Sequence, residues 1–130
     1  MADTATLPVL DLNMLIAMYG DGSAETIILA LSGFRREAAH YVQQLQDAGQ
    51  HNVTTDNALA DTARLCHSLK SMCGLVGAAK LMQLCMILEQ AARQHDLTTL
   101  QSERLKLAEV WPELLSQLDL ILLQHGYVDV

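Results

Sequence analysis

The chain has 130 residues, which is enough for one domain with a single buried core. Its net charge of −7 argues against nucleic acids and anionic membrane surfaces as partners, because both require a cationic face. Just over half of the residues are hydrophobic, aromatic and β-branched residues are scarce, and helix formers such as Leu, Ala, Gln and Met dominate. The composition therefore predicts an all-α protein.

The first elements are a tail and a short helix. Residues 1–10 are predicted to form a flexible tail, so that the folded domain spans residues 11–130. Asp11 is a suitable N-cap for a helix that runs to about Tyr19, where the sequence Gly-Asp-Gly breaks the pattern.

A long second helix follows, with Ser23 as its N-cap and Gly49 at its end. Its apolar residues recur at alternating steps of four and three, which is typical of an amphipathic helix. These residues are Ile27, Leu31, Phe34, Ala38, Tyr41 or Val42, and Leu45. Residues 50–54 are predicted to form a loop.

The third and fourth helices form a predicted hairpin. The third begins near Thr55 or Asp56 and ends at Gly77, and a tight turn at Gly77-Ala78 leads into the fourth. The apolar stripe of the third helix is Leu59, Ala63, Cys66, Leu69, Cys73 and Val76. That of the fourth is Leu81, Leu84 or Cys85, Leu88, and Ala91 or Ala92.

A fifth helix is predicted from about Leu100 to His125, after a connection at residues 96–99. Pro112 lies inside this pattern and should kink the helix or mark a break. Four amphipathic helices with short connections predict an antiparallel up-down-up-down four-helix bundle, with the short N-terminal helix as an extra element.

The cysteines and the N-terminal sequence indicate the cellular compartment of the protein. Cys66, Cys73 and Cys85 lie in apolar helical patterns without the spacing of a metal site, so we expect buried thiols in a reducing environment. We find no signal-peptide pattern and no apolar run near the ~20 residues that cross a bilayer. These features predict a cytoplasmic location, and the starting Met1 with its short tail favours a free-standing protein.

The segment from His67 to Ala78 is the most informative part of the chain. On a helical wheel, His67 points about 120° away from the apolar stripe, so its side chain should be accessible to solvent. Its neighbours on that flank, three, four or seven residues away, are small except for one arginine. They are Ala60, Ala63, Arg64, Ser71 and Gly74. Such a flank would let the surface of another protein approach the imidazole.

This segment resembles the histidine phosphotransfer (HPt) domain of bacterial multi-step phosphorelays. The pattern of that family is His-x-Leu-Lys-Gly, followed by small residues and a glycine ten positions after the histidine. His67, Leu69, Lys70 and Gly77 match this pattern, whereas Ser71 stands in place of the family glycine. The resemblance implies a helical bundle in which His67 carries a phosphoryl group, without kinase activity. It also implies no cofactor, since the receiver domain supplies the Mg²⁺ and the acidic site.

Two cations flank the histidine. Lys70 lies one turn after His67 and Arg64 one turn before it, and their charges suit a phosphoryl group. Imidazole is a nucleophile near neutral pH, and phosphoimidazole is reactive enough to pass the group on.

A carboxylate on the next helix is predicted to orient the ring. In the family, the hydrogen-bond acceptor often lies 22 positions after the histidine, and here that residue is Glu89. The helical rise points to the same place, because an antiparallel return over the roughly 15 Å between His67 and the turn arrives near Leu88 or Glu89. We therefore predict His67, Lys70 and Glu89 as the reactive site.

The partners that the resemblance implies are response-regulator receiver domains and a hybrid sensor histidine kinase, with the protein itself a monomer. The residues predicted to contact them are Ala63, Arg64, Ser71, Gly74, Met82 and Met86. Met82 and Met86 are one turn apart on the helix beside His67, where they either fill the core or form an apolar contact surface.

Three other interpretations remain open. A lone helix histidine is most often an ordinary exposed residue, and only the run of matches around His67 favours a phosphate carrier. The loss of the family glycine at Ser71 leaves room for a pure interaction module that binds a receiver or kinase without transfer. Glu37 and His40 have the Glu-x-x-His spacing of metal-binding bundles, but there is no second copy of the motif.

Overall fold

The computed structural model describes residues 7–50 and 54–127. All regular structure in these ranges is helical, which confirms the predicted all-α class. The helices are α1 (Leu12–Tyr19), α2 (Ala24–Gln50), α3 (Asp56–Val76), α4 (Ala79–Arg93), α5 (Leu97–Arg104) and α6 (Leu107–Gln124). The predicted bounds of the first four are correct to within a residue or two.

The ends of α1 and α2 follow the predicted capping residues. The carboxylate of Asp11 accepts a hydrogen bond from the backbone N–H of Asn13 at 3.0 Å, and Gly20 ends α1 in the left-handed region with φ 69°. The Ser23 hydroxyl accepts from the N–H of Thr26 at 3.3 Å. Among the described residues no single helix is long and apolar enough to cross a membrane. α1 and α2 meet the criteria of length and composition only as a pair, which is bent by 107°.

The turn between α3 and α4 is as short as predicted. Gly77 adopts φ 82°, and the N–H groups of Gly77 and Ala78 both donate to the carbonyl of Cys73 at 3.0 Å. This conformation is easy only for glycine, because a Cβ atom crowds the backbone in the left-handed region. The turn folds α4 back along α3, and these two helices pack against each other more extensively than any other pair.

The segment before α1 is part of the domain. Val9 is buried, the carbonyl of Pro8 accepts from the N–H of Lys80 at 3.1 Å, and the N–H of Asp11 donates to the carbonyl of Gly77 at 2.8 Å. The prediction of a tail over residues 1–10 is therefore wrong for residues 8–10, which are held against the turn between α3 and α4. Residues 1–6 lie outside the described ranges.

The core contains the predicted apolar stripes. Every stripe residue of α3 is at most 2% exposed, and Cys66, Cys73 and Cys85 are fully buried free thiols, as expected. α2 packs against α3 and α6, and α4 packs against α5 and α6. The largest fully buried side chains are mostly leucines: Leu15, Leu31, Leu45, Leu69, Leu81, Leu84, Leu88, Leu107, Leu114 and Leu118. Each contributes about 1.5–3 kcal/mol by burial.

The C-terminal third departs from the prediction of one helix over residues 100–125. The carboxylate of Asp96 accepts from the N–H of Thr99 at 3.2 Å and starts α5 at Leu97, so most of the expected connection is helical. The break falls between Arg104 and Leu107, where N–H groups bond to carbonyls three residues back. Pro112 does not mark the break and lies inside α6.

The left-handed turn at Gly77 should tolerate no side chain. A Cβ atom there would collide with the carbonyl oxygen of Asp11 and lie 3.2 Å from Cβ of Met14, in addition to the unfavourable φ. We expect Gly77→Ala to lower the free energy of unfolding by more than about 1–2 kcal/mol in chemical denaturation. Gly33, inside α2 with open space around it, is the matched control. Gly33→Ala should leave stability unchanged or raise it, and equal effects of the two substitutions would contradict this account.

Candidate functional site

The histidine and the carboxylate predicted to orient it are in contact. His67 lies on the outer flank of α3 with its side chain 57% exposed. Its Nδ1 atom is 3.1 Å from Oε2 of Glu89 on α4. Of the two residues that the helical rise left open, Leu88 points into the core and Glu89 faces the ring.

Glu89 is the centre of a polar cluster. Its side chain is only 11% exposed. Its Oε1 accepts a hydrogen bond from Nζ of Lys70 at 2.9 Å, and its Oε2 accepts from Nε and Nη2 of Arg93 at 3.1 and 2.9 Å. A charged group with so little access to water needs such partners, because its lost hydration is otherwise uncompensated. Glu89 thus links the ring to two cations.

The protonation of Glu89 determines the tautomer of the ring. Burial alone would raise the pKa of Glu89, but hydrogen bonds from Lys70 and Arg93, the charge of Lys70 and the hydrogen bond from His67 outweigh it and hold the pKa below its ordinary value. The carboxylate is therefore ionised near neutral pH and can only accept hydrogen bonds. In the neutral ring the proton lies on Nδ1, and Nε2 keeps its lone pair.

Two open cavities adjoin the cluster. One of about 290 Å³ lies between Lys70 and Met86, with Glu89 and Arg93 in its wall. The other, of about 430 Å³, is lined by residues of both helices that include Ala63 and Arg93. Arg93 lines both cavities, and its side chain is 58% exposed.

The small residues near His67 differ in accessibility. Ser71 is exposed, and its hydroxyl donates to the carbonyl of His67 at 3.2 Å. Gly74 is partly exposed, and a Cβ built on it would lie 3.7 Å from Sδ of Met82. Ala63 is only 2% exposed, because its side chain belongs to the α3 stripe. Ser71 and Gly74 thus offer surface to a partner, whereas Ala63 offers almost none.

The other predicted contact residues surround the cluster without joining it. Met86 is 45% exposed at the edge of the smaller cavity, and Met82 is partly buried against the core. Arg64 is exposed and forms an ion pair with Asp61 on its own helix. The structure therefore holds Lys70 beside the ring through Glu89, but it does not bring Arg64 to Glu89.

Arg93 is the residue that the sequence analysis missed. It donates two hydrogen bonds to the same carboxylate oxygen that faces the ring. Its spacing gave the signal, since residues four apart on a helix are neighbours and Glu followed by a cation at that distance is favourable.

Two further features concern metal binding and the thiol of Cys66. Within residues 7–50 and 54–127, no three His, Cys, Asp or Glu side chains are grouped so that they could hold a metal ion. Burial raises the pKa of Cys66 far above its ordinary value, so this thiol, next to His67 in sequence, stays neutral.

The chain was compared with known proteins. Residues 30–122 match the family model described as the Hpt domain. The match covers more than half of the chain and includes the whole polar cluster around Glu89. No curated protein and no solved structure matches the chain.

Replacing the carboxylate by an amide should release the tautomer of His67. An amide can accept a hydrogen bond from Nδ1–H or donate one to an unprotonated Nδ1, so Glu89→Gln permits both tautomers. Long-range ¹⁵N–¹H correlation spectra at alkaline pH should show the Nδ1–H form in the wild type and a mixture in Glu89→Gln. His125, whose Nδ1 lies 2.8 Å from the carbonyl of Ile121, is an internal control that should not change. Identical His67 signals in both proteins would show that Glu89 does not fix the ring.

Proposed function

The chain belongs to the Hpt domain family, and from that premise we propose that it relays a phosphoryl group between the aspartates of two receiver domains through a phosphohistidine at His67. Proteins of this family are phosphocarriers in the phosphorelays of two-component signalling, and they are not kinases. The observation that carries the proposal is the pairing of Nδ1 of His67 with an ionised, nearly buried Glu89, which leaves Nε2 unprotonated on an exposed ring.

The proposed chemistry follows from that tautomer. The lone pair of Nε2 attacks the phosphorus of an aspartyl phosphate, an N–P bond forms, and the bond from phosphorus to the aspartate oxygen breaks. The aspartate leaves as a carboxylate. The ring keeps its proton on Nδ1 and becomes a phosphorylated imidazolium, whose positive charge Glu89 stabilises. In the reverse transfer a carboxylate oxygen of an aspartate attacks the phosphorus and the N–P bond breaks. The ring leaves as neutral imidazole, because its proton stays on Nδ1 throughout.

Lys70 has the electrostatic role in this proposal. Its ammonium group is 2.9 Å from Oε1 of Glu89, and its side chain is 28% exposed, so its charge acts close to the ring with little screening by water. We assign to it the stabilisation of the phosphorylated state and of the transfer transition state. The position of Glu89 also restricts the ring to one orientation, which favours attack by Nε2.

We also propose how the helices are arranged: they form an antiparallel up-down-up-down four-helix bundle, with α1 as an extra N-terminal helix. The packing of α2 on α3 and α6, and of α3 on α4, supports this arrangement. The domain then extends from about residue 8 through α6. We propose that it works as a monomer in the cytoplasm, with receiver domains and a hybrid sensor histidine kinase as its partners.

The proposed docking surface is the exposed flank around the ring. Ser71 and Gly74 lie one and two turns after His67 and present little bulk, so a receiver domain can bring its aspartate close to Nε2. Met86 adds an exposed apolar side chain on α4. Met82, Arg64 and Ala63 lie at the margins of this surface or beneath it.

The phosphorylated residue can be tested directly. Wild type incubated with a phosphorylated receiver should gain label that is labile in acid and stable in base, whereas His67→Gln should gain none. The fold should survive this substitution, because an exposed side chain contributes little to stability. His40, exposed on α2, supplies the control, and His40→Gln should label like the wild type. Label retained by His67→Gln would refute the assignment, and absence of label on the wild type would favour a pure interaction module.

The docking surface has its own test. Ser71→Trp should weaken binding to a receiver domain by tenfold or more, since a bulky ring beside His67 blocks close approach, while the melting temperature stays near the wild-type value. Ser102→Trp is the matched control, because Ser102 is also exposed and donates to a carbonyl of its own helix at 3.2 Å. Equal affinities of the two variants, measured by titration calorimetry, would place the docking surface elsewhere.

A further inference from the structure

Arg93 shares an acceptor atom with the histidine. Its Nη2 and the Nδ1 of His67 lie 2.9 and 3.1 Å from the same atom, Oε2 of Glu89, and its Nε is 3.1 Å from that oxygen. Three N–H donors thus converge on one oxygen, while Oε1 accepts a hydrogen bond from Nζ of Lys70. Because Nη2 of Arg93 and Nδ1 of His67 contact the same atom, the guanidinium is a close neighbour of the ring.

Phosphorylation changes the charges around this oxygen. Before transfer, the carboxylate faces the reactive, neutral form of the ring and two cations. After transfer the ring is an imidazolium, which is a stronger donor to Glu89, and the phosphoryl group adds about two negative charges with three acceptor oxygens. The carboxylate then needs its cations less, and a new anion nearby attracts them more.

Arg93 is freer to move than Lys70. Its side chain is 58% exposed against 28% for Lys70, and both of its bonds go to the oxygen that it shares with His67. It also lines both open cavities, so unoccupied space adjoins it. A guanidinium can bind a phosphoryl group through two parallel hydrogen bonds, which an ammonium cannot.

We propose that Arg93 leaves Oε2 of Glu89 and binds the phosphoryl oxygens when His67 is phosphorylated, while Lys70 stays on Oε1. This inference rests on the phosphotransfer function proposed above. Both consequences of this movement stabilise phosphorylated His67. The phosphoryl group gains a cation, and Oε2 of Glu89 is left to the imidazolium alone. Arg93 is then a phosphate-binding residue supplied by α4, the helix that also supplies Glu89.

The test uses the whole chain and phosphoramidate as the phosphoryl donor, so that no receiver docking is involved. The N–P bond of phosphoramidate breaks, ammonia leaves, and an N–P bond forms at Nε2 of His67. At a fixed ratio of phosphoramidate to ammonia, Arg93→Ala should lower the equilibrium constant for phosphorylation about tenfold, which is the effect of losing one charge-assisted hydrogen bond. The equilibrium constant of Arg93→Lys should fall between those of wild type and Arg93→Ala. The matched control is Arg35→Ala, on the arginine of α2 that pairs with Asp119 of α6, and it should match the wild type.

A spectroscopic measurement separates this role from a structural one. In ¹⁵N spectra of the wild type, the Nε–H signal of Arg93 should shift on phosphorylation, and the ³¹P signal should differ between wild type and Arg93→Ala but not Arg35→Ala. If Arg93 served only Glu89, its Nε–H signal would stay with the carboxylate on phosphorylation, and the ³¹P signal would be the same in wild type and Arg93→Ala. That result would overturn the inference while the relay function stands. A wild type that gains no label on His67 would instead overturn the proposed function. If Arg93→Ala does not fold, the equilibrium constant for phosphorylation of Arg93→Lys and the ¹⁵N spectra of the wild type test the inference instead.

Discussion

The carboxylate of Glu89 connects the parts of the site. It lies almost out of reach of water between two helices, and it stays ionised because Lys70 and Arg93 donate hydrogen bonds to it. An ionised carboxylate cannot donate, so it assigns the proton of the neutral ring to Nδ1 and the lone pair to Nε2. The exposed ring therefore owes its chemical state to a buried residue on the neighbouring helix.

That contact depends in turn on the length of the hairpin. His67 and Glu89 are 22 residues apart, and they meet because α3 and α4 are joined by a turn of two residues. One residue more in the turn would rotate α4 by about 100° and direct another side chain at the ring. The left-handed conformation of Gly77 keeps the turn short, and the leucines, alanines and buried thiols of the two stripes fix the rotation of each helix.

Most of this arrangement could be predicted, because it follows from local rules. The capping residues Asp11 and Ser23, the stop at Gly77 and the apolar steps of three and four determine the first four helices. The helical rise across the hairpin predicted that Leu88 or Glu89 would lie level with His67. The break before Leu107 was not predictable from periodicity, because Leu100 and Leu107 are seven residues apart and both face the core, so the pattern continues through it. The packing of Val9 depends on side chains that meet only in the folded chain. The bonds of Arg93 to Glu89, by contrast, follow a local spacing of four residues on one helix.

The contacts of the N-terminal segment couple it to the site. The carbonyl of Pro8 and the N–H of Asp11 bond to residues on either side of the turn that sets the spacing of the hairpin. The segment that precedes α1 therefore stabilises the turn between α3 and α4. This turn lies about 15 Å along α3 from His67. Any tension on this segment, from a domain fused ahead of it or from a partner that grips it, would act on the joint of the hairpin and so on the alignment of the ring with its carboxylate. A stretch of sequence that precedes the first helix thus helps to set the geometry of the hairpin that carries His67 and Glu89.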